Sequence, residues 1–110
     1  MAYKEIKTSQ KKEENENKAA IIAEKSGLHV FSDCNYEGEG DYVSSPIEVK
    51  DLSVGSNEGI KSFVLTDGYK IDTYNNKDFT GTKITFTGPQ NISCSNRVIK
   101  SVKFYSQKDE

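Results

Sequence analysis

Two cysteines, one histidine and a cluster of four carboxylates are the side chains of this chain whose types could do chemistry at close range. Cys34 and Cys94 stand far apart in sequence, and His29 is the sole histidine. A zinc site draws about four Cys, His or acidic ligands at short spacings, and two Cys with one His fall short of that. His29 adjoins Val30 in a strand-like stretch, with no nucleophile to serve, so it reads as a strand residue and not as a general base. Asp33, Glu37, Glu39 and Asp41 read as a solvated rim, because paired catalytic carboxylates need a cleft that spacing alone does not build. No phosphate-binding glycine loop, dinucleotide fingerprint or nucleophile elbow occurs. No catalytic or cofactor-binding residue is assigned, and the chain is read as not an enzyme.

The elements that must position these side chains are written as an internal repeat. Phe31, Tyr36 and Gly38 recur as Tyr74, Phe79 and Gly81 at one constant offset. Asn57, Ile60, Lys61 and Ser62 recur as Asn96, Ile99, Lys100 and Ser101 at another. Two tandem copies of one β unit are implied. In the first copy, Leu28–Ser32, Asp41–Ser45, Ile47–Lys50 and Ile60–Thr66 read as strands, with the hairpin CNYEGEG and the loop LSVGSNEG between them. Asp67-Gly68 marks a turn. The order restarts with Tyr69–Tyr74, the hairpin NNKDFTG, Thr82–Phe86, the loop TGPQNISCSNR and Val98–Tyr105. Four strands per copy predict an all-β, eight-stranded sandwich of two Greek-key motifs, motif A over 27–67 and motif B over 68–106.

The remaining residues are a charged N-terminal extension, 1–26, and a short tail, 107–110. The extension is free of Gly and Pro, and KKEENENKAAIIAEK suits a short helix with Glu14 and Lys18 as a favourable pair and Ala19, Ile22 and Ala23 on one face. That face is too small to hold a helix alone in water. The composition favours a solvated, partly disordered segment, with a helix docked on the β domain or on a partner as the alternative. With 110 residues, 34% of them hydrophobic, there is room for one modest core. The net charge of −2 mixes both signs, so no basic patch argues for nucleic acid. No apolar run is long enough to span a membrane, and no secretory leader is read at the N-terminus. A cytoplasmic chain is the expectation, with non-classical export left open.

The two copies resemble the Greek-key motifs of the βγ-crystallin superfamily, in the form of one two-motif domain of the microbial or invertebrate, spherulin-like type. The family's hairpin signature is an aromatic, four residues, an aromatic, one residue and Gly. It stands here as Phe31-SDCN-Tyr36-Glu-Gly38 and as Tyr74-NNKD-Phe79-Thr-Gly81, with the matching serines at Ser62 and Ser101. The physics suits these types. A hairpin folded over its own sheet needs positive φ at the glycine, aromatics fill the space beneath it, and a small hydroxyl satisfies backbone groups that the fold-over orphans.

Family members often hold two calcium ions, on the motif Asn/Asp, Asn/Asp, any, any, Ser/Thr, Ser. The third position lends a carbonyl and the fifth a hydroxyl. Here the copies read Asn57-Glu58-Gly59-Ile60-Lys61-Ser62 and Asn96-Arg97-Val98-Ile99-Lys100-Ser101. Calcium takes about six to eight oxygen ligands, and an ammonium has no lone pair to give. Lys61, Lys100 and Arg97 therefore make both sites degenerate, and Lys61 is expected near Glu58 or a hairpin carbonyl as a built-in cation. No metal is expected. Asn57, Glu58, Gly59 and Asn96 are the candidates for a weak residual calcium site.

The resemblance also brings the hairpin of one motif near the loop of the other, and so Cys34 near Cys94. Two free thiols are the preferred reading and a Cys34–Cys94 disulfide is its alternative. The function implied is a crystallin-like structural or stress-associated protein. The alternatives are a protein-binding, adhesion or inhibitor module and a weak calcium binder. The partner is unknown. A protein partner or a homodimer fits the family, and no nucleic acid or membrane span is implied.

Overall fold

The computed structural model describes residues 14–52 and 59–107. A helix, α1, covers residues 14–22. Eight strands follow: β1 (Leu28–Asp33), β2 (Glu37–Val43), β3 (Ile47–Val49), β4 (Ser62–Leu65), β5 (Tyr69–Tyr74), β6 (Lys83–Thr87), β7 (Gln90–Ile92) and β8 (Ser101–Ser106), with one 3-10 turn at Cys34–Tyr36.

The strands form two four-stranded sheets, ordered β2-β1-β4-β7 and β3-β8-β5-β6, and the pairings are antiparallel. Each copy keeps three strands in its own sheet and gives its third, β3 or β7, to the other. That exchange makes each half a Greek key and locks the halves into one sandwich. On the approximate twofold, Ile60 and Ile99 exchange two backbone hydrogen bonds, each of 2.8 Å.

Alternation along the strands sends one face inward. Leu28, Phe63 and Leu65 from the first sheet meet Ile71, Val102 and Phe104 from the second, with Ile60 and Ile99 between them. Side chains of this type each contribute about 1.5–3 kcal/mol on full burial.

Three strands depart from the sequence expectation by more than two residues. β2 starts at Glu37, because the folded hairpin is shorter than its glycines suggest. β7 lies inside the stretch read as a loop. Its three residues, Gln90, Asn91 and Ile92, carry no alternating apolar signal, and pairing with Phe63–Leu65 of β4 makes them a strand. β8 starts at Ser101, and the residues before it run beside the twofold.

Within the extension the described residues take the docked-helix alternative, and residues 1–13 lie outside the described residues. Residues 14–22 are helical, and Ala19, 2% exposed, packs with Tyr36 and Val64, with Ile22, Ala23 and Phe31 around them. The sequence could not supply the reason. Val64 points away from the core and gives the helix an apolar seat on the outer face of the first sheet.

Candidate functional site

Chemistry-bearing residues gather where the hairpin of each motif meets a loop of the other. Each hairpin is built from left-handed backbone: Asn35 and Tyr36 have φ of 62° and 59°, and Asp78 and Phe79 have 58° and 59°. Gly38 and Gly81 follow at 82° and 86°. A Cβ on Gly38 would fall on Ser32 Oγ, and one on Gly81 on Asn75 Oδ1. Those two oxygens are in use, accepting the N–H of Glu39 at 2.9 Å and of Thr82 at 2.7 Å.

The signature serines lie beneath. Ser62 Oγ accepts the Tyr36 N–H at 3.1 Å and donates to the Asp33 carbonyl at 2.6 Å. Ser101 Oγ accepts the Phe79 N–H at 3.0 Å and donates to the Asn76 carbonyl at 2.6 Å. Tyr36 meets Phe31 edge-on at 5.9 Å, and Phe79 meets Tyr74 at 5.7 Å. The structure thus brings Phe31, Tyr36, Gly38 and Ser62 together in one half and Tyr74, Phe79, Gly81 and Ser101 in the other.

The two junctions share one backbone plan. The Asn35 N–H donates to the Ser93 carbonyl at 2.6 Å, and the Asp78 N–H to the Lys50 carbonyl at 2.9 Å. The Ser95 N–H donates to the Lys61 carbonyl at 2.6 Å, and the Leu52 N–H to the Lys100 carbonyl at 2.8 Å. The side chains on this common frame differ. At the first junction Cys34 and Cys94 are disulfide-bonded, with Cα atoms 4.6 Å apart. This corrects the free-thiol reading: both thiols sit on facing loops that the backbone already holds together. At the second junction the corresponding residues are Lys77 and Asp51, an exposed ion pair at 3.7 Å.

At the first junction Lys61 Nζ donates to the Ser95 carbonyl at 2.7 Å. Its partner is a loop carbonyl of motif B, in place of the expected hairpin carbonyl; Glu58, the other expected neighbour, lies outside the described residues. Arg97 reaches Thr82 Oγ1 at 3.1 Å, and its carbonyl accepts the Ser95 hydroxyl at 2.6 Å. Gly59 is buried against Val98 and Ile99, and Asn96 is exposed. Asn57 and Glu58 lie outside the described residues. Among the described residues no three His, Cys, Asp or Glu side chains converge as a metal cluster.

Helix α1 seals the first hairpin. Asn15 Nδ2 donates to Asn35 Oδ1 at 3.0 Å and Lys18 Nζ to the Asn35 carbonyl at 3.1 Å, with Glu37 3.8 Å from the same ammonium. On the second hairpin Lys103 stands 4.8 Å over the Phe79 ring. Lys103 occupies the place of Val64, so a lysine lies over the second hairpin where a helix packs on the first. His29 is structural: its Nε2–H donates to the Lys25 carbonyl at 2.8 Å, and its ring lies 4.5 Å from that of Tyr42. Of the four carboxylates, Glu37, Glu39 and Asp41 are exposed on β2, and Asp33 is half-buried at the end of β1.

One polar cluster carried no sequence signal. Asp72, 8% exposed, accepts from Thr85 Oγ1 at 2.6 Å and from the Tyr105 hydroxyl at 3.1 Å, with Lys83 at 3.8 Å. Burial, and then the Asp72 carboxylate, push the Tyr105 phenol up to about 12. Cross-strand register assembles these residues, and no motif spans them.

Two Greek keys that exchange their third strands, with folded hairpins pinned by Ser62 and Ser101, define a crystallin-type sandwich. No family model matches the chain, and no curated protein matches it. Solved structures do match. The chain is 26% identical to a βγ-crystallin domain from Clostridium beijerinckii, with a TM-score of 0.58 over 73% of this chain and 98% of that one. A βγ-crystallin domain from Flavobacterium johnsoniae is 22% identical, with a TM-score of 0.60 over 74% and 96% of the two chains. The N-terminal domain of protein S shares the fold at 20% identity and a TM-score of 0.60, over 74% and 97%. The chain folds as a single domain of βγ-crystallin type.

Proposed function

We propose that this protein is a non-enzymatic structural protein of crystallin type, serving under stress as a compact and durable fold that works without calcium. The observation that carries this reading is the first junction, where the Lys61 ammonium and the Cys34–Cys94 bond tie hairpin to loop. An ammonium that donates to a carbonyl does locally what a cation coordinated by that carbonyl would do, and it cannot be removed by a chelator. A covalent bridge constrains the unfolded chain whatever the metal supply. Disulfides persist in oxidising surroundings, so the bond suits service at a cell surface or outside the cell better than in a reducing cytosol.

Melting curves of the full chain with calcium, with chelator and with a dithiol reductant test the reading. A midpoint indifferent to calcium and chelator, and lowered by reductant, supports it. A midpoint raised by many degrees on adding calcium overturns it, since a ligand that binds the folded state must raise its stability.

A further inference from the structure

The sandwich is open at two opposite edges. One is formed by β2 and β3, the other by β6 and β7, and all four are terminal strands of their sheets. The first edge carries Glu37, Glu39 and Asp41 on β2 and Glu48 on β3, all exposed; neither strand holds a base, and one base, Lys50, directly follows β3. The second edge carries Lys83 on β6, which stands 3.8 Å from Asp72, and Arg97 in the loop after β7, both exposed, and no acid occurs between residues 79 and 107.

Each edge also shows an apolar residue. Among the described residues three large hydrophobic side chains are exposed, Ile21, Ile47 and Ile84, and two of them mark these edges: Ile47 at 44% on β3 and Ile84 at 48% on β6. Ile47 borders a notch with Val43, Val49 and Leu52. Ile84 borders one with Phe86, Ile92 and Arg97.

We propose that the two edges bind each other between copies, so that the β2/β3 edge of one chain docks on the β6/β7 edge of the next. Complementary charge selects the occupant. Both halves of the pair belong to this chain, and the fold holds them too far apart to meet within one molecule. Like edges repel: two acidic edges would set eight carboxylates face to face, which disfavours an isologous dimer. Head-to-tail docking sets acid against base and Ile47 beside Ile84. It also carries each sheet onward, β2 toward the next copy's β7 and β3 toward its β6. The contact is heterologous, so it repeats into an open chain and does not close at two.

Sedimentation of the full chain tests this, with single variants that each disable one edge. At low salt the weight-average mass should rise above the 12.3 kDa of one chain as concentration increases, and keep rising past a dimer. At about 1 M salt, where screening reaches about 3 Å, it should return to the monomer. Asp41→Arg and Arg97→Glu should each weaken self-association about tenfold while melting near the wild type. Mixed together they should form a one-to-one dimer and stop there, because the intact acidic edge of one meets the intact basic edge of the other. If Asp41→Arg does not fold, Glu39→Arg replaces it. A mass that stays monomeric at low salt, a plateau at a salt-resistant dimer, or a mixture no heavier than its separate components overturns the proposal.

Discussion

Lys61 reaches across the junction between the two Greek keys and sets its ammonium 2.7 Å from the carbonyl oxygen of Ser95. The sequence reading sets this lysine at the fifth position of the degenerate motif, and the structure shows its charge put to use. Lys61→Met should lower stability by about 1.5–3 kcal/mol, the range for hydrogen bonds to a charged group. Urea denaturation reads it, with an unchanged slope showing that the same fold is being measured. Calcium should not restore the loss, since a methionine supplies no oxygen. Recovery in millimolar calcium would mean that the site binds metal once the cation is gone.

The Cys34–Cys94 bond and the Lys77–Asp51 pair hold equivalent places, and they should differ sharply in worth. A bond closing a loop of 60 residues contributes about 4 kcal/mol in the chain-entropy model. The ion pair has side chains more than half exposed, and such pairs contribute about 0–1 kcal/mol. Cys34→Ser with Cys94→Ser should therefore drop the unfolding midpoint strongly, and Lys77→Ala should barely move it. Thiol titration of unreduced, denatured protein gives the companion result, with no free thiol expected.

The repeat made the fold legible because both hairpins keep the same residues in the same places. It made the junctions legible only as positions. Cys34 and Lys77 occupy one place and Cys94 and Asp51 another, so geometry repeats while chemistry changes, and a search for repeated letters passes over them. Ser32 and Asn75 were missed for the same reason: each offers an oxygen to an N–H on the folded hairpin, and they share no identity. The N-terminal helix was half legible. Ala19, Ile22 and Ala23 show a face, but its seat depends on the outward Val64, which looks from sequence like any other strand valine. The Asp72 cluster comes from strands β5, β6 and β8, and only the register between them brings it together.

Gly38 tests the folded hairpin directly. Its φ of 82° disfavours any side chain, and a Cβ would collide with the Ser32 hydroxyl that holds the Glu39 N–H. Gly38→Ala should cost about 1–3 kcal/mol, as strained backbone positions do. Ser62→Ala should cost as much by another route, since it orphans both the Tyr36 N–H and the Asp33 carbonyl. The two lie in one network, so the double variant should lose less than the sum. Additive losses would show that the hairpin and its serine act independently.

Alkaline pH should weaken the second sheet through Tyr105. Its phenol is pushed up to about 12 in the fold, whereas an unfolded tyrosine titrates near 10. The folded state keeps the proton longer, so this contribution is fully present below about pH 10 and is lost as pH rises through about 12. Tyr105→Phe should flatten the stability profile over that window relative to wild type. Burial also raises the Tyr36 phenol, so ultraviolet titration of the native protein should show both phenols ionising late, and the variant should lose the share that belongs to Tyr105.

Helix α1 should prove to be part of the domain, although only one of the two hairpins has such a cover. A chain that starts at Gly27 would leave Tyr36 and Val64 facing water, and Val64 is fully buried in the intact protein. Burial of the small apolar seat stabilises by about 1–3 kcal/mol, so the shortened chain should fold with a lower midpoint and bind a hydrophobic dye. The second hairpin shows how such a seat can do without a helix, because Lys103 lays its stem and ammonium over Phe79 where the first hairpin has Val64 and Tyr36. In the shortened chain, Val64→Lys should therefore reduce dye binding and recover part of the lost midpoint. In the full chain the same substitution should be harmful, because it drives a lysine into the contact with Ala19. Opposite signs in the two backgrounds would tie the helix to this one position; a loss in both would mean that the valine matters to the sheet itself.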